Sequence, residues 1–177
     1  MKFIQKYLVI LFFIYWIGYI ALRLIFSGTQ INDHGFINVA FLGLIMAALF
    51  SGAVGGGLYY SVGPRVRYIE SRDLKVPRFT DRQEKFITPT KNDFSFSELQ
   101  SKIKQNWILT YVDNELNVIK FRTKDSLFDW GVGSYVTYDN SVNTISVVSF
   151  PFTGDTHKGR RLKNELNNQV EALVLSA

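Results

Sequence analysis

Two apolar stretches decide the fold: YLVILFFIYWIGYIALRLIF at residues 7–26 and INVAFLGLIMAALFSGAVGGGLYY at residues 37–60. Arg23 is the one charged residue of the first stretch, and the second contains none. A helix needs about 20 apolar residues to cross a bilayer core, and lipid offers no partner for unpaired backbone groups. The sequence therefore predicts a hairpin of two transmembrane helices within residues 1–63.

A cleaved signal peptide is the alternative interpretation of the first stretch, because Lys2 and Lys6 resemble a charged n-region. The apolar stretch is longer than the usual h-region, however, and no cleavage site of the small-x-small type follows it. We therefore expect an uncleaved span.

The distribution of Lys and Arg predicts the orientation of the hairpin. Lys2 and Lys6 precede the first stretch, and the connector at residues 27–36 has neither Lys nor Arg. The second stretch is followed by a basic cluster of Arg65, Arg67, Arg72, Lys75, Arg78, Arg82 and Lys85, of which the first four are nearest the membrane. Because basic loops stay in the cytoplasm, we expect a multi-pass protein of the bacterial inner membrane with both termini cytoplasmic.

The net charge of +5 does not predict a nucleic-acid partner. Residues 1–85 hold ten Lys/Arg and five Asp/Glu, whereas residues 86–177 hold ten of each. A nucleic-acid domain carries a basic face of its own, and here the excess lies beside the membrane. The simplest interpretation is that this excess anchors the cytoplasmic side of the hairpin. Attraction to anionic lipid, about 1 kcal/mol for each basic residue near the surface, is the alternative, and the predicted partner is membrane lipid.

Downstream of the hairpin, the sequence predicts a basic juxtamembrane linker at residues 64–85, extended at 65–69, and a soluble domain at 86–177. Ser95-x-x-Glu98 is a capping-box pattern that opens a helix ending near residue 105. Strands are predicted at 107–112, at 116–123, at 126–130 continuing into 134–138, and at 144–150, and a final amphipathic helix at 160–175.

The order helix, four-stranded antiparallel meander, helix predicts a small cytoplasmic two-layer α+β domain, membrane-anchored by the hairpin. Two helices across one face of the sheet would cover its apolar side chains. A small PH-like barrel closed by the last helix is the alternative.

No residue pattern predicts a catalytic centre, a metal site or a cofactor. The chain has no Cys, and on the predicted topology its two His, at 34 and 157, lie on opposite sides of the membrane. Asp125 and Asp129 would lie about 13 Å apart on a strand, too far for a pair of catalytic carboxylates. Gly131-Val132-Gly133 lacks the third glycine of a dinucleotide fingerprint and is interpreted as a bulge or bend.

Small residues crowd the second apolar stretch, and Gly52-x-x-x-Gly56 is a pair that lets helix backbones approach closely. The partner helix is either the first span of the same chain, a second copy or another membrane protein.

A polar and basic stretch at residues 153–164 is the candidate binding site. Lys158, Arg160, Arg161 and Lys163 surround a predicted helix N-terminus, where free amides and the helix dipole favour an anion. The alternative is a solvated loop in which Asp155 or Thr156 caps the helix.

The residues 127–131 (LFDWG), 145–149 (ISVVS) and the run Lys158-Gly159-Arg160-Arg161-x-x-Asn164 together resemble the DUF1499-type small domain of uncharacterised bacterial proteins. The resemblance covers about residues 94–175. It implies a strand-rich segment leading into a polar helix start, and it brings no established catalytic residues.

These patterns favour a non-enzymatic binding or assembly module tethered to the membrane. The alternatives are a PH-like module that senses lipid or an anion, and an enzyme acting on an anionic substrate at the membrane surface.

Overall fold

The computed structural model describes residues 2–27, 33–79, 81–90, 94–124 and 130–176. The chain forms two compact units, Met1–Tyr60 and Ser61–Ala177. The elements are α1 (Lys2–Ser27), α2 (Asp33–Ser61), α3 (Gly63–Glu70), β1 (Gln83–Ile87), α4 (Phe96–Asn106), β2 (Ile108–Asp113), β3 (Val118–Arg122), β4 (Val132–Asp139), β5 (Thr144–Pro151) and α5 (His157–Ser176).

The first unit consists of the two predicted apolar helices. The segments Gln5–Phe26 and Gly35–Ser61 are long and apolar enough to cross a membrane by length and composition. The α2 residues Gly43, Ala47, Ser51 and Gly55 recur every fourth position and are all buried.

These small residues let the side chains of α1 reach the backbone of α2. A Cβ built on Gly43 would lie 2.8 Å from a ring carbon of Tyr19, and one built on Gly55 would lie 3.0 Å from both methyl carbons of Leu8. The indole nitrogen of Trp16 also donates a hydrogen bond of 3.0 Å to the Ala40 carbonyl. The contact between the two helices is therefore built on residues 43, 47, 51 and 55.

The second unit contains a five-stranded antiparallel sheet in the order β1-β5-β4-β3-β2. The predicted count of four strands was wrong because β1 lies at the edge, where Gln83 pairs with Ser149 and Ile87 with Ile145. One face of β1 is exposed and carries charged side chains, so its sequence QEKFI has the composition of a linker. The strand was missed for that reason. Within the described residues β1 and β2 are open edges, so the sheet does not form the alternative barrel.

The other predicted strands are confirmed, with small shifts of their ends, as β2, β3, β4 and β5. The first half of the third predicted strand, at 126–129, lies outside the described residues. Asp113 forms the turn between β2 and β3, since its carboxylate accepts the amides of Glu115 and Leu116 at 3.1 and 3.0 Å. Gly131 has a φ of +79°, which confirms the predicted bend before β4.

One face of the sheet is covered by α4 and α5, as predicted. Ser95 caps α4 by accepting the Glu98 amide at 3.3 Å. The core between these helices and the sheet comprises Ile87, Leu99, Ile103, Ile119, Phe121, Val132, Val136, Ile145, Val147, Leu166, Val170 and Val174.

The opposite face is covered as well, so the predicted two-layer arrangement was incomplete and the extended segment at 65–69 was wrong. Pro64 lies in the first turn of α3, where its fixed φ favours the helical conformation, and the rest of the helix contains no Pro or Gly. Val66 and Ile69 of this helix are fully buried, and α3 packs against β2, β3 and β4. The helix is too short, and too rich in Arg, for an apolar period to reveal it.

Gly133 permits the close approach of α3 to the sheet. A Cβ built on this residue would lie 2.6 Å from Ile69 Cγ1 and 3.0 Å from a ring carbon of Phe152. Glycine in β4 is therefore required by packing.

Gly133→Ala should lower the free energy of unfolding by about 1–3 kcal/mol, because the added methyl group overpacks the layer between α3 and β4. Gly63→Ala is the matched control, since a Cβ there meets only the end of Arg67 at 3.8 Å. Urea unfolding of the full chain in detergent, followed by circular dichroism, measures both. Equal stability of the two variants would contradict the packing described for Gly133.

Gly55→Ile should separate α1 from α2, whereas Gly56→Ile should not, because a Cβ on Gly56 meets nothing within 4 Å among the described residues. The chain has no Cys, so the pair Tyr15→Cys and Phe50→Cys, whose rings lie 3.8 Å apart, reports the contact through a short bismaleimide crosslinker. A severalfold loss of intramolecular crosslinking is expected with Gly55→Ile alone. The same loss in both variants would mean that the buried stripe is misassigned.

Candidate functional site

Lys120 occupies the centre of β3 with its side chain fully buried. Its neighbours Ile119 and Phe121 face the helices α4 and α5, so strand alternation directs Lys120 to the α3 side. The ammonium donates hydrogen bonds to the carbonyls of Tyr68 at 3.0 Å, Ser71 at 3.1 Å and Asp73. An ammonium has three N–H donors, and here each has an acceptor.

These bonds satisfy the end of α3, where the last carbonyls of a helix have no partner within the helix. Thr110 assists from the neighbouring strand, because its hydroxyl donates to the Ile69 carbonyl at 2.7 Å. A positive charge beside a helix C-terminus also interacts favourably with the helix dipole. Lys120 and Thr110 therefore fix α3 to the sheet.

Tyr68 completes the surroundings of this amine. Its ring centroid lies 4.0 Å from Lys120 Nζ, in the geometry of a cation–π contact. Burial lowers the pKa of Lys120 to about 8, an effect that the Asp73 carboxylate opposes. Burial, followed by Tyr135 and Asp73, raises the pKa of Tyr68 well above its usual value. At neutral pH the site therefore holds a mostly charged amine and a protonated phenol.

A cleft of about 540 Å³ opens beside this buried group. It is lined by Pro64, Arg67, Tyr68, Ser71, Asp73, Leu74, Lys75 and Pro77. Its charged residues are two basic side chains and one carboxylate. Asp73 is held in place by Ser71, whose hydroxyl accepts the Asp73 amide at 3.2 Å and donates to the Tyr68 carbonyl at 2.9 Å.

The four membrane-proximal basic residues predicted from sequence separate into three roles. Arg67 and Lys75 line the cleft, and Arg72 is exposed outside its lining. Arg65 is internal, because its guanidinium donates to Asp81 Oδ1 at 2.9 Å and to the Pro151 carbonyl at 3.2 Å.

The structure does not gather the predicted anion-binding residues of the C-terminal segment into one site. Lys163 is 8% exposed, and its amine donates to the Asp81 carbonyl at 2.8 Å. Arg160 faces Asp155 at 3.5 Å and Arg161 faces Glu165 at 3.4 Å, both at the surface. Lys158 is exposed in the first turn of α5.

The helix α5 begins at His157, three residues before the predicted start. The predicted cap by Thr156 is confirmed, since its Oγ1 accepts the Gly159 amide at 3.0 Å. Gly159 itself is buried against the Gly154 carbonyl and the Pro151 ring, each 2.9 Å from a built Cβ. In the polar stretch at 153–164, Thr156 caps α5, Lys163 bonds a backbone carbonyl, and Arg160 and Arg161 face carboxylates.

Gly52 and Gly56 lie beside the stripe that packs against α1. A Cβ on either residue meets nothing within 4 Å among the described residues. Gly52 also lines an apolar groove of about 400 Å³ with Leu8, Val9, Phe12, Phe13 and Ser51. The helix α1 therefore packs against the neighbouring residues 43, 47, 51 and 55 of α2 and not against Gly52 and Gly56.

Sequence reasoning missed Lys120 and Tyr68. A signal for Lys120 was present, because a single charged residue stands among apolar ones in the strand VIKFR. A lysine between apolar neighbours on a strand is usually interpreted as the solvent-facing position, and only the presence of α3 reverses that interpretation.

Among the described residues, no group of three or more His, Cys, Asp or Glu side chains is arranged to hold a metal ion. Asp125 and Asp129, which the sequence places too far apart for a catalytic pair, lie outside the described residues. The chemistry available in the cleft is therefore that of two basic side chains, one carboxylate and one phenol.

No family model, curated protein or solved structure matches this chain. The resemblance to the DUF1499-type domain stays a prediction, and its residues 127–129 lie outside the described part of the chain.

Lys120→Met should lower stability at neutral pH, because three buried carbonyls lose their donors. Folding lowers the pKa of Lys120 from 10.5 to about 8, so between these pH values the unfolded chain binds more protons. The wild type should therefore gain stability relative to the variant as the pH rises from 8 to 10.5, by up to roughly 3 kcal/mol.

Urea unfolding of the full chain in detergent, repeated from pH 6 to 10.5, measures this difference. Lys124→Met, at an exposed position, is the matched control for the loss of one amine. A stability difference that shrinks as the pH rises would contradict the assigned direction of the pKa shift.

Proposed function

We propose that this chain is a multi-pass protein of the bacterial inner membrane with both termini in the cytoplasm. Its α+β unit is a non-enzymatic binding or assembly module held at the membrane surface by α1 and α2.

The observation that carries this proposal is the junction between the two units. The apolar helix α2 ends at Ser61, and α3, a layer of the α+β unit, begins at Gly63. Two residues of chain span at most about 7 Å. A bilayer around α2 would therefore keep the start of α3 at its surface.

The exposure of the apolar helices supports a lipid environment. Ile25 is 73% exposed, Phe26 83% and Tyr60 82%. Core helices of a soluble protein bury such side chains, and large exposed apolar surfaces in proteins mark contact with a membrane or a partner.

Binding is favoured over catalysis by the state of Lys120. This amine is the obvious candidate for a nucleophile or base, because its pKa is lowered. All three of its donors are engaged on backbone carbonyls, and removing them would release the end of α3. The amine therefore fits a structural role better than a catalytic one.

Assembly within the membrane is supported by the open side of α2. The stripe of Gly52 and Gly56 beside an apolar groove suits close packing by a helix of another membrane protein or of a second copy.

Reporter fusions test the orientation. A green fluorescent protein fused after residue 177 should fluoresce, and alkaline phosphatase at the same point should be inactive, because basic flanks keep the C-terminus in the cytoplasm. Phosphatase inserted after residue 30 should be active, and the full chain should stay in the membrane pellet after extraction at alkaline pH.

A comparison variant replaces Arg65, Arg67, Arg72 and Lys75 by Gln. It weakens the charge asymmetry, although Lys2, Lys6 and the three basic residues at 78, 82 and 85 remain, and it should raise the fraction of inverted chains. Phosphatase activity from the C-terminal fusion of the wild type would refute the cytoplasmic assignment. Release of the chain from the pellet would refute the anchoring.

A further inference from the structure

The cleft beside α3 is ordered in the absence of a ligand. Its floor is tied to the sheet, since Lys120 bonds the carbonyls of Tyr68, Ser71 and Asp73. Three of the eight residues that line the cleft are therefore fixed by one buried amine. A binding site whose walls are already ordered loses little entropy when it is filled.

Tyr68 supplies the observation that points to a ligand. The residue lines the cleft and is only 4% exposed. Its hydroxyl has no hydrogen-bond partner among the described residues. A buried polar group without a partner costs about 1–3 kcal/mol, and a ligand acceptor that reaches the hydroxyl from the cleft would remove that cost.

The charges of the cleft define the kind of ligand. Arg67 and Lys75 contribute two positive charges and Asp73 one negative charge, which leaves a single net positive charge on the side chains that line the cleft. Arginine matches phosphate oxygens in a planar, bidentate geometry. A phosphodiester with one negative charge fits this balance better than a phosphate monoester or a polyphosphate, and Asp73 is placed to accept a hydroxyl or ammonium of the same ligand.

The position of the cleft in the chain indicates where the phosphodiester comes from. Pro64 lines the cleft and follows the end of α2 by three residues, a span of at most about 10 Å. If α2 crosses the bilayer, as proposed above, the phosphodiesters within reach are those of phospholipid headgroups.

We infer that the cleft formed by Arg67, Tyr68, Asp73 and Lys75 binds the phosphodiester headgroup of an anionic phospholipid. Arg67 and Lys75 pair with the phosphate, the Tyr68 hydroxyl donates to one of its oxygens, and Asp73 accepts from the polar end of the headgroup. The apolar lining from Pro64, Leu74 and Pro77 faces the glycerol backbone of the lipid.

The experiment uses the full chain purified in dodecyl maltoside and titrated with phosphatidylglycerol, with phosphatidylcholine as the neutral comparison. Native mass spectrometry measures the occupancy of bound lipid. Arg67→Gln with Lys75→Gln should weaken phosphatidylglycerol binding by about tenfold. Arg72→Gln with Arg78→Gln removes the same charge from the same segment outside the cleft and should change it by less than about twofold.

Tyr68→Phe separates a ligand contact from a structural one. The hydroxyl has no partner among the described residues, so its loss should leave the free energy of unfolding of the lipid-free chain unchanged or slightly raised. It should weaken phosphatidylglycerol binding by about three- to tenfold.

Three outcomes contradict the inference in whole or in part. Unchanged binding in Arg67→Gln with Lys75→Gln would remove the site, and equal weakening by the two double variants would reduce it to general attraction between a basic segment and an anionic surface. A Tyr68→Phe variant that unfolds more easily without losing lipid affinity would remove the role of the hydroxyl.

Soluble ligands distinguish the source of the phosphodiester. Glycerophosphoglycerol, the same headgroup without acyl chains, and inorganic phosphate should both bind far more weakly than the lipid. Equal affinity for the soluble headgroup would overturn the lipid assignment and keep the phosphodiester site. Failure of the membrane anchoring appears separately, in the extraction at alkaline pH.

Discussion

The α+β unit depends on one buried amine. Lys120 crosses from the central part of the sheet to the end of α3 and occupies three backbone carbonyls there. Burying a charge without partners is expensive, so the amine and the helix end require each other. The layer over the second face of the sheet, the aromatic contacts beneath it and the cleft beside it all follow from that pairing.

A second polar group fixes the opposite end of the same layer. Arg65, in the first turn of α3, bonds Asp81 and the end of β5, and the Asp81 carbonyl accepts Lys163 from α5. Layers on both faces of the sheet are thus connected around its β1 edge. A buried ion pair gives little net stability, and its contribution here is to the position of α3 and of the segment before β1.

Sequence reasoning predicted those parts of the fold that repeat a pattern over many residues. The apolar helices, the capping box at Ser95, the antiparallel strands β2 and β3 and the amphipathic α5 each have a local cause in side-chain period or capping chemistry. It failed for α3 and β1, because eight and five residues are too few to establish a period and both carry the charges of a linker.

The cleft beside α3 was not predicted from the sequence for the same reason. The basic residues at the start of α5 were predicted to bind an anion. In the structure Lys163 donates a hydrogen bond to the Asp81 carbonyl, and Arg160 and Arg161 face carboxylates. The cleft instead combines Arg67 and Lys75 with a buried tyrosine, and that combination exists only once α3 has docked on the sheet. No local pattern encodes it.

The pairing of the first strand with the last has a consequence for how the unit is made. Glu84 of β1 and Ser146 of β5, which share a hydrogen bond, are 62 residues apart in the chain. On the ribosome, β1 and α3 emerge well before the strand and the lysine that hold them. Since such distant contacts slow folding, β1 and α3 remain without their partners in the sheet until most of the α+β unit has been synthesised.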